Sequence, residues 1–385
     1  MPVVSIVKCE TYESDQVRQA LVAALEPLGG IDTFVQPGQR VLLKPNLLMP
    51  IRPERAITTH PAVVEAMAEL VRDAGGEAVI FDSSAVPTGL VMRRVYRDTG
   101  MAEAAERTGA ELGYDATAVQ VSTPDGVLLK RLDLLKICQD VDVVISLPKL
   151  KTHGLTTLTG AVKNLFGLVP GMMKPAYHAK LPDVDAFCDM LLDIAAYVHP
   201  ALTVMDGVVG LEGNGPSTQG IPRQVGALVA GTDTVAIDAV VCLLIGLSPE
   251  QLPLFRAAAR RGWWPMEIAV TGTPVTDLAV SDFRLPETAR SAKGRSRLSS
   301  FVNKRTRLFV PFPVPQEGRC TVCRTCERVC PVQAISIVDK LARVDYDTCI
   351  RCYCCHEMCP EAAIDLESSR LERLLRRIGL LGRSA

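Results

Sequence analysis

The sequence predicts an α/β chain in two parts. The first is built on a mostly parallel sheet with helices on both faces; the second is a small α+β unit at the C-terminal end. Two observations carry this. Over residues 1–285, short β-branched runs alternate with amphipathic stretches, and the segment 141–147 is dominated by apolar residues, as a fully buried strand requires. Strand–helix alternation with buried strands implies a parallel sheet covered on both sides. In the last quarter of the chain, one cysteine run occurs twice.

Taken in order, 3–8 reads as a strand and 15–28 as a helix. A strand at 40–44 is followed by a helix at 60–74 that Gly75-Gly76 closes. Residues 77–82 form a strand and 90–108 a helical stretch; 141–147 is the buried strand, and 156–166 and 184–198 are helices. Strands at 201–205 and 225–230 precede helices at 234–247 and 249–261. A Gly-rich loop at 207–220 reads as a lid or a close backbone approach. Arg290, Lys293, Arg295, Arg297, Lys304, Arg305 and Arg307 then occur with no acidic residue among them, ahead of a Pro-rich stretch. This reads as a solvated, partly extended connector rather than a dock for an anionic partner.

In the small unit, 334–338 and 342–344 flank Asp339-Lys340, a hairpin pattern. Beyond it, Leu371, Leu374, Leu375, Ile378 and Leu381 recur at helical spacing, with Arg370, Arg373, Arg376, Arg377 and Arg383 opposite. Such a helix can lie on a membrane surface; docking on the body of the protein is the preferred reading. The domains expected are 1–285 (α/β), 286–317 (connector), 318–365 (cysteine unit) and 366–385 (amphipathic helix).

Net charge is −1, so neither a polyelectrolyte partner nor specific nucleic-acid binding is implied. The start of the chain shows no signal-peptide pattern, and no apolar run approaches the roughly 20 residues that span a bilayer. Cys9, Cys138, Cys188, Cys242 and Cys354 stand outside the two regular runs and read as free thiols, which fits a reducing cytoplasm.

The runs are Cys320-x-x-Cys323-x-x-Cys326-x-x-x-Cys330-Pro331 and Cys349-x-x-Cys352-x-x-Cys355-x-x-x-Cys359-Pro360. This is the bacterial ferredoxin spacing for cubane [4Fe–4S] clusters. Three thiolates two residues apart wrap three corners of one cube, and the fourth leaves on the next turn to reach the other cube. By that crossing, Cys320, Cys323, Cys326 and Cys359 hold one cluster, and Cys349, Cys352, Cys355 and Cys330 hold a second. A zinc ribbon needs two Cys pairs, not two runs of four. Cys354 makes a register slip conceivable, because Cys352, Cys354 and Cys355 compete for two ligand places. Cys355 is favoured, since its spacing to Cys359 repeats that of Cys326 to Cys330.

A second constellation follows the predicted strands. Lys44-Pro45-Asn46, Asp82-Ser83-Ser84, Pro148 to Gly154, and Asp206-Gly207 each sit just past a strand end, where open parallel sheets bind ligands. Lys149, Lys151 and His153 alternate, so an extended chain places them on one face. The predicted helix after them opens with hydroxyls and free N–H groups, a favourable place for an anion. Lys163, Asn164, Lys174 and His178 follow. The expected pocket takes phosphate or carboxylate. Lys44, Asn46, Asp82, Lys163, Asn164, Lys174 and Asp206 are its binding candidates, and Lys149, Lys151, His153 and His178 its catalytic candidates. His153 or His178 is the expected proton donor, because imidazole titrates near neutral pH. Against this, single lysines usually face solvent, and Asp82 and Asp206 read equally well as caps or turn residues. No P-loop is present and no Gly-x-Gly-x-x-Gly follows the first strand; a bound flavin or further metal stays open.

Four segments carry a resemblance. Val41-Leu42-Leu43-Lys44-Pro45-Asn46, Thr59-His60-Pro61, Ser146 to His153, and Thr159 to Gly167 are similar to the DUF362 family over roughly residues 1–285. The resemblance implies an uncharacterised α/β domain and, as in many members, a C-terminal dicluster module; it supplies no substrate. The function expected is an iron–sulfur oxidoreductase or its electron-transfer component, acting on a small anionic ligand and exchanging electrons with a partner protein. Two alternatives stand beside it: a ferredoxin-like carrier whose large domain only docks a partner, and a ligand-binding sensor of redox state.

Overall fold

The structure is a computed structural model and describes residues 1–83, 89–265, 267–292 and 310–377. Ser84, most of the basic connector (Lys293, Arg295, Arg297, Lys304, Arg305, Arg307), and Ile378, Leu381 and Arg383 lie outside these.

Strands β1 (Val3–Lys8), β2 (Arg40–Pro45), β3 (Glu77–Ile80) and β4 (Glu111–Leu112) precede a separate hairpin of β5 (Ala118–Ser122) and β6 (Arg131–Leu135). Then come β7 (Val143–Leu147), β8 (Lys149–His153), β9 (Thr157–Thr159), β10 (Leu202–Gly213), β11 (Gly220–Gly231) and β12 (Ala269–Gly272). The main sheet has ten strands in the order β12-β1-β11-β10-β7-β2-β3-β4, with β8 on β10 and β9 on β8. Six of its pairings are parallel and three antiparallel, the latter made by β11 with β1 and β10 and by β9 with β8.

Helices cover the sheet, and their starts follow from the sequence. Pro61–Asp73 opens with proline at its first position, where no N–H is needed. His60 caps it, its Nδ1 accepting from the Ala62 N–H at 3.2 Å. Asp183 caps Val184–Val198 and Asp233 caps Thr234–Leu244 in the same manner. The helical stretch expected at 90–108 is two helices, Gly89–Asp98 and Met101–Thr108, because Gly100 turns left-handed between them (φ 76°).

Two expectations are corrected. The helix expected at 156–166 is strand β9, which hairpins onto β8 with Lys151 opposite Thr159 and His153 opposite Thr157. Only Ala161–Asn164 is α-helical, followed by a short 3₁₀ turn, Leu165–Leu168. The run Thr156-Thr157-Leu158-Thr159 is rich in β-branched residues, which lose side-chain freedom in a helix, and the available partner strand takes it. Of the two readings of 207–220, a lid or a close backbone approach, the lid is corrected, since β10 and β11 run through much of it. β10 and β11 stay paired down to Gly213 opposite Gly220, with one register shift between Gly207 and Val209. Gly207 serves close packing: a Cβ there would fall 2.9 Å from the Ala227 carbonyl oxygen.

In the C-terminal segment, Phe312–Pro315 pairs antiparallel with Ile364–Glu367. The expected hairpin forms between Ile335–Val338 and Leu341–Val344. Asp339 and Lys340 both take positive φ (50° and 59°) at its turn, as a type I′ turn requires. In the last described helix, Arg370–Arg377, Leu371 and Leu374 are exposed and Glu372 is buried. Among the described residues, no helix is long and apolar enough to cross a membrane. All thirteen cysteines are free.

The helix start at Ala161 already holds an anion, the Asp238 carboxylate, which accepts from Ala161 N–H at 2.6 Å and Val162 N–H at 3.1 Å. Gly160 is required beside it, since an added Cβ would stand 2.0 Å from Asp238 Oδ1. Gly160→Ala is therefore expected to push the carboxylate off two buried N–H groups, each worth about 1–3 kcal/mol when left unpaired. Thermal melting followed by circular dichroism checks this; an unchanged midpoint would show that Asp238 can move without loss.

Candidate functional site

The parallel strands end along one edge, and their lysines are buried there. Lys44, at the end of β2, donates to Asp82 Oδ1 at 2.7 Å and to the Pro45 carbonyl at 2.8 Å. Asp82 Oδ2 accepts the Leu47 N–H at 2.7 Å. Burial pushes the Lys44 pKa down, against the pull of Asp82. Lys149 forms a second closed pair. Its ammonium donates to Asp206 Oδ2 and to the Tyr12 hydroxyl, both at 2.8 Å, and Tyr12 donates to Asp206 Oδ1 at 2.9 Å. Asp206 also accepts the His60 N–H at 2.9 Å, and the Tyr12 and His60 rings stack at 3.6 Å. Thr59 ties two strand ends together, accepting from Asn46 N–H and donating to the Leu147 carbonyl.

In front of these pairs lies a cavity of about 550 Å³. Asn46, Asp82, Lys151, His153, Lys163, Asn164, Lys174 and His178 line it from the sheet side. Lys44, Lys149 and Asp206 sit behind, outside the lining. The opposite wall comes from the cysteine segment, through Thr325, Arg328, Val329, Cys354, Glu357 and Met358.

Most of the polar lining is already paired. Lys151 donates to Asn46 Oδ1 at 2.7 Å and to the Ile57 carbonyl at 2.8 Å. Lys174 donates to the Ser83 carbonyl at 2.6 Å and hydroxyl at 2.9 Å. Asn164 donates to Ser146 Oγ at 3.0 Å. Lys163 differs: among the described residues it has no hydrogen bond or ion pair, and its ammonium lies 5.6 Å from the centre of the Phe166 ring. Four buried polar atoms of the same lining also lack an aligned partner: Thr159 Oγ1, His178 Nδ1, His153 Nε2 and Glu357 Oε1. His153 Nε2 and Glu357 Oε1 face each other at 3.0 Å without aligning. His153 Nδ1 accepts from Leu155 N–H at 3.0 Å, so the ring proton belongs on Nε2.

Burial dominates the ionisation here. It pushes Lys151 down to about 7, helped by Lys163 nearby, and Lys174 down to about 8. It raises Glu357 to about 7, against Lys163 and Lys151. His178 falls to about 3 and His153 well below its ordinary value, both first through burial and then through Lys163. Both imidazoles are thus neutral at pH 7, and the near-neutral titration expected of them moves to Lys151 and Glu357. Sequence reasoning missed Glu357 because it lies inside the second cysteine run, where the spacing draws attention to sulfur alone.

The cysteines gather as two sets. Cys320, Cys323, Cys326 and Cys359 line one small cavity. Cys330, Cys349, Cys352 and Cys355 line another, together with Cys354. The loops wrap by the same device in both runs: the residues flanking the second cysteine take left-handed φ, Val322 and Arg324 in one, Arg351 and Tyr353 in the other. An all-sulfur donor set around a small space fits an iron–sulfur cluster. Among the described residues, no three His, Cys, Asp or Glu side chains converge on a single-ion site. Thr325 lines both the first thiol cavity and the large cavity, and Cys354 lines both the second and the large one.

The turn between β10 and β11 holds the cysteine segment in place. Thr218 donates to the Cys359 carbonyl at 2.9 Å, and Gln219 reaches the Ile364 carbonyl at 2.7 Å. The segment that reads as a lid is a dock.

Residues 41–243 match the family described as "Domain of unknown function (DUF362)", and residues 313–336 match a 4Fe-4S binding domain. The "Thylakoid-associated protein sll1697" of Synechocystis sp. is 39% identical over 288 residues, covering 74% of this chain and 88% of that protein. Among solved structures, the lactate racemase apoprotein from Thermoanaerobacterium thermosaccharolyticum superposes with a TM-score of 0.40 at 13% identity, over 63% of this chain and 57% of its own.

The Lys44–Asp82 pair has a stability consequence. Lys44→Ala leaves the Asp82 carboxylate buried beside a void, with an expected loss of about 3–5 kcal/mol in denaturant unfolding. The double variant Lys44→Met/Asp82→Leu is expected to lose less, because no charge is stranded. Equal losses would show that packing, not charge, sets the cost.

Proposed function

The chain belongs to the DUF362 family, and from that premise we propose that it is an iron–sulfur oxidoreductase holding an anionic electron acceptor in its large cavity. The two cysteine sets would hold two [4Fe–4S] clusters: Cys320, Cys323, Cys326 and Cys359 one, Cys330, Cys349, Cys352 and Cys355 the other. The domain division is that of an α/β domain at 1–285 and a cysteine domain at 318–365. Bound there, the clusters would supply electrons one at a time.

One observation carries the reading. The large cavity shares a wall with each thiol cavity, through Thr325 and Cys354, so a ligand in it lies against both. The chain's own residues then have distinct tasks. Lys163, otherwise unpaired, binds the anion. Thr159 and His178 offer their unpaired polar atoms to its oxygens. Lys151 donates a proton to the acceptor as it is reduced and is reprotonated from solvent. An external one-electron donor protein supplies two electrons; with the proton from Lys151 and a second from solvent they convert the acceptor to its dihydro form. A ligand filling the cavity would displace water from it, which strengthens each charge contact. The name of the Synechocystis relative adds a membrane surface to the cytoplasm as a place of work. The exposed Leu371 and Leu374 are the positions such a surface would meet.

Anaerobically purified protein is expected to contain about eight irons and eight sulfides per chain, with interacting S = 1/2 signals on reduction. Zinc in their place would overturn the redox reading. Lys163→Met is expected to keep its iron yet lose about 10- to 100-fold in affinity for acetate or phosphate by calorimetry, the worth of a charged hydrogen bond. Unchanged electron delivery to every acceptor in that variant would favour a simple carrier.

The pH dependence follows from Lys151. Its pKa of about 7 means that the ammonium is present below neutrality and lost above it. Anion affinity and turnover are therefore expected to fall as pH rises from 6 to 8. Glu357, also near 7, becomes a carboxylate over the same range and adds to the fall, so Lys151→Arg should make the profile shallower and Lys151→Arg/Glu357→Gln should flatten it.

A further inference from the structure

We infer that the large cavity takes an organic anion with an extended apolar body, its charged head at Lys163 and its body along an apolar wall. This inference rests on the reading of the cavity as an anion site and extends it to the shape of the anion.

Three of the groups left without a protein partner among the described residues, Thr159, Lys163 and His178, come from adjoining elements of the sheet side. Thr159 stands opposite Lys151 in the β8–β9 ladder, and Lys163 follows one turn later. The His178 ring meets Phe166 edge-on at 6.1 Å, and the same Phe166 lies under the Lys163 ammonium. A head group at Lys163 would have Thr159 and His178 as the neighbouring groups with polar atoms to offer.

Much of the remaining polar lining is taken up within the protein: His153 Nε2 and Glu357 Oε1 face each other at 3.0 Å, and Arg328 donates to the Thr325 hydroxyl at 3.3 Å. Asp82, Asn46 and Lys174 are committed to partners within the protein. Leu48, Met49, Pro50 and Val91 line the cavity from the sheet side, and Val329 and Met358 from the cysteine side. Two of these are methionines, which adapt to varied apolar shapes.

Size points the same way. The cavity of about 550 Å³ falls within the range of sites for drug-sized ligands, about 300–1,000 Å³. A bare phosphate or acetate fills only a small part of it. An apolar wall left wet would waste contact area that a hydrocarbon or ring system would cover.

The test is a chain-length series on the full, anaerobically purified protein with its iron in place. Calorimetric affinities are measured for n-alkanoates from acetate to octanoate and for n-alkyl phosphates from methyl to octyl. Affinity is expected to rise about fourfold per methylene in the series whose head group fits, the worth of burying one CH₂. Lys163→Met should weaken every member by a similar factor and keep the slope. Met49→Gln should flatten the slope and leave the shortest member unchanged. Iron content checks that both variants fold.

Binding of short anions with no dependence on chain length would overturn this inference while leaving the anion site standing. No binding by any member of either series would overturn both. A slope retained in Lys163→Met with undiminished affinity would place the head elsewhere and overturn the inference as stated.

Discussion

Five lysines lie at the strand-end edge of this sheet, and the difficulty of burying an ammonium organises the site. Removing such a group from water costs several kcal/mol unless carboxylates or carbonyls compensate. Lys44 and Lys149 are each matched by an aspartate: Asp82, just past β3, and Asp206, which the sequence places past a strand end but which lies inside β10. Lys151 and Lys174 are matched by neutral oxygens alone, and burial draws their pKa values toward neutrality. Lys163 is matched by neither. The gradation separates scaffold from site: the paired lysines hold strand ends in register behind the cavity, and the least compensated one faces it.

The same constraint links the two parts of the chain. The sheet alone would leave Lys151, Lys163 and His153 open to water. The cysteine segment covers them with Glu357 and with the short helices Thr325–Val329 and Cys354–Glu357. Its seat is the β10–β11 turn, whose Thr218 holds the backbone of Cys359. One contact therefore does two things: it closes the ligand cavity, and it sets a cysteine of one thiol set against the sheet domain. Closure also lowers the local dielectric, so that Lys151 and Glu357, not the histidines, carry titrations near pH 7.

Much of the fold was legible where local rules dominate. Val184–Val198 and the hairpin around Asp339-Lys340 follow from periodicity, capping and turn chemistry, which act over a few residues. The segment 156–166 did not, since its threonines are weak helix formers whose state depends on a partner strand arriving from elsewhere. The glycines of 207–220 were ambiguous for a related reason. Glycine permits a mobile loop or a close-packed strand, and only the neighbouring Ala227 carbonyl and Leu150 side chain decide between them.

The sequence by itself determined the chemistry on offer. Cysteine spacing is a local, covalent property, so the two sulfur runs and their crossing could be read directly. The lysines and histidines past strand ends could be named because strand ends are local too. Tertiary structure alone decided which of them meet a ligand. Lys149 and Lys163 look alike in the sequence, yet one is closed against Asp206 and Tyr12 and the other is left facing a cavity. Glu357, from a segment about 200 residues away, completes that cavity. Partnership and desolvation depend on what packs nearby in space, and no spacing along the chain encodes them.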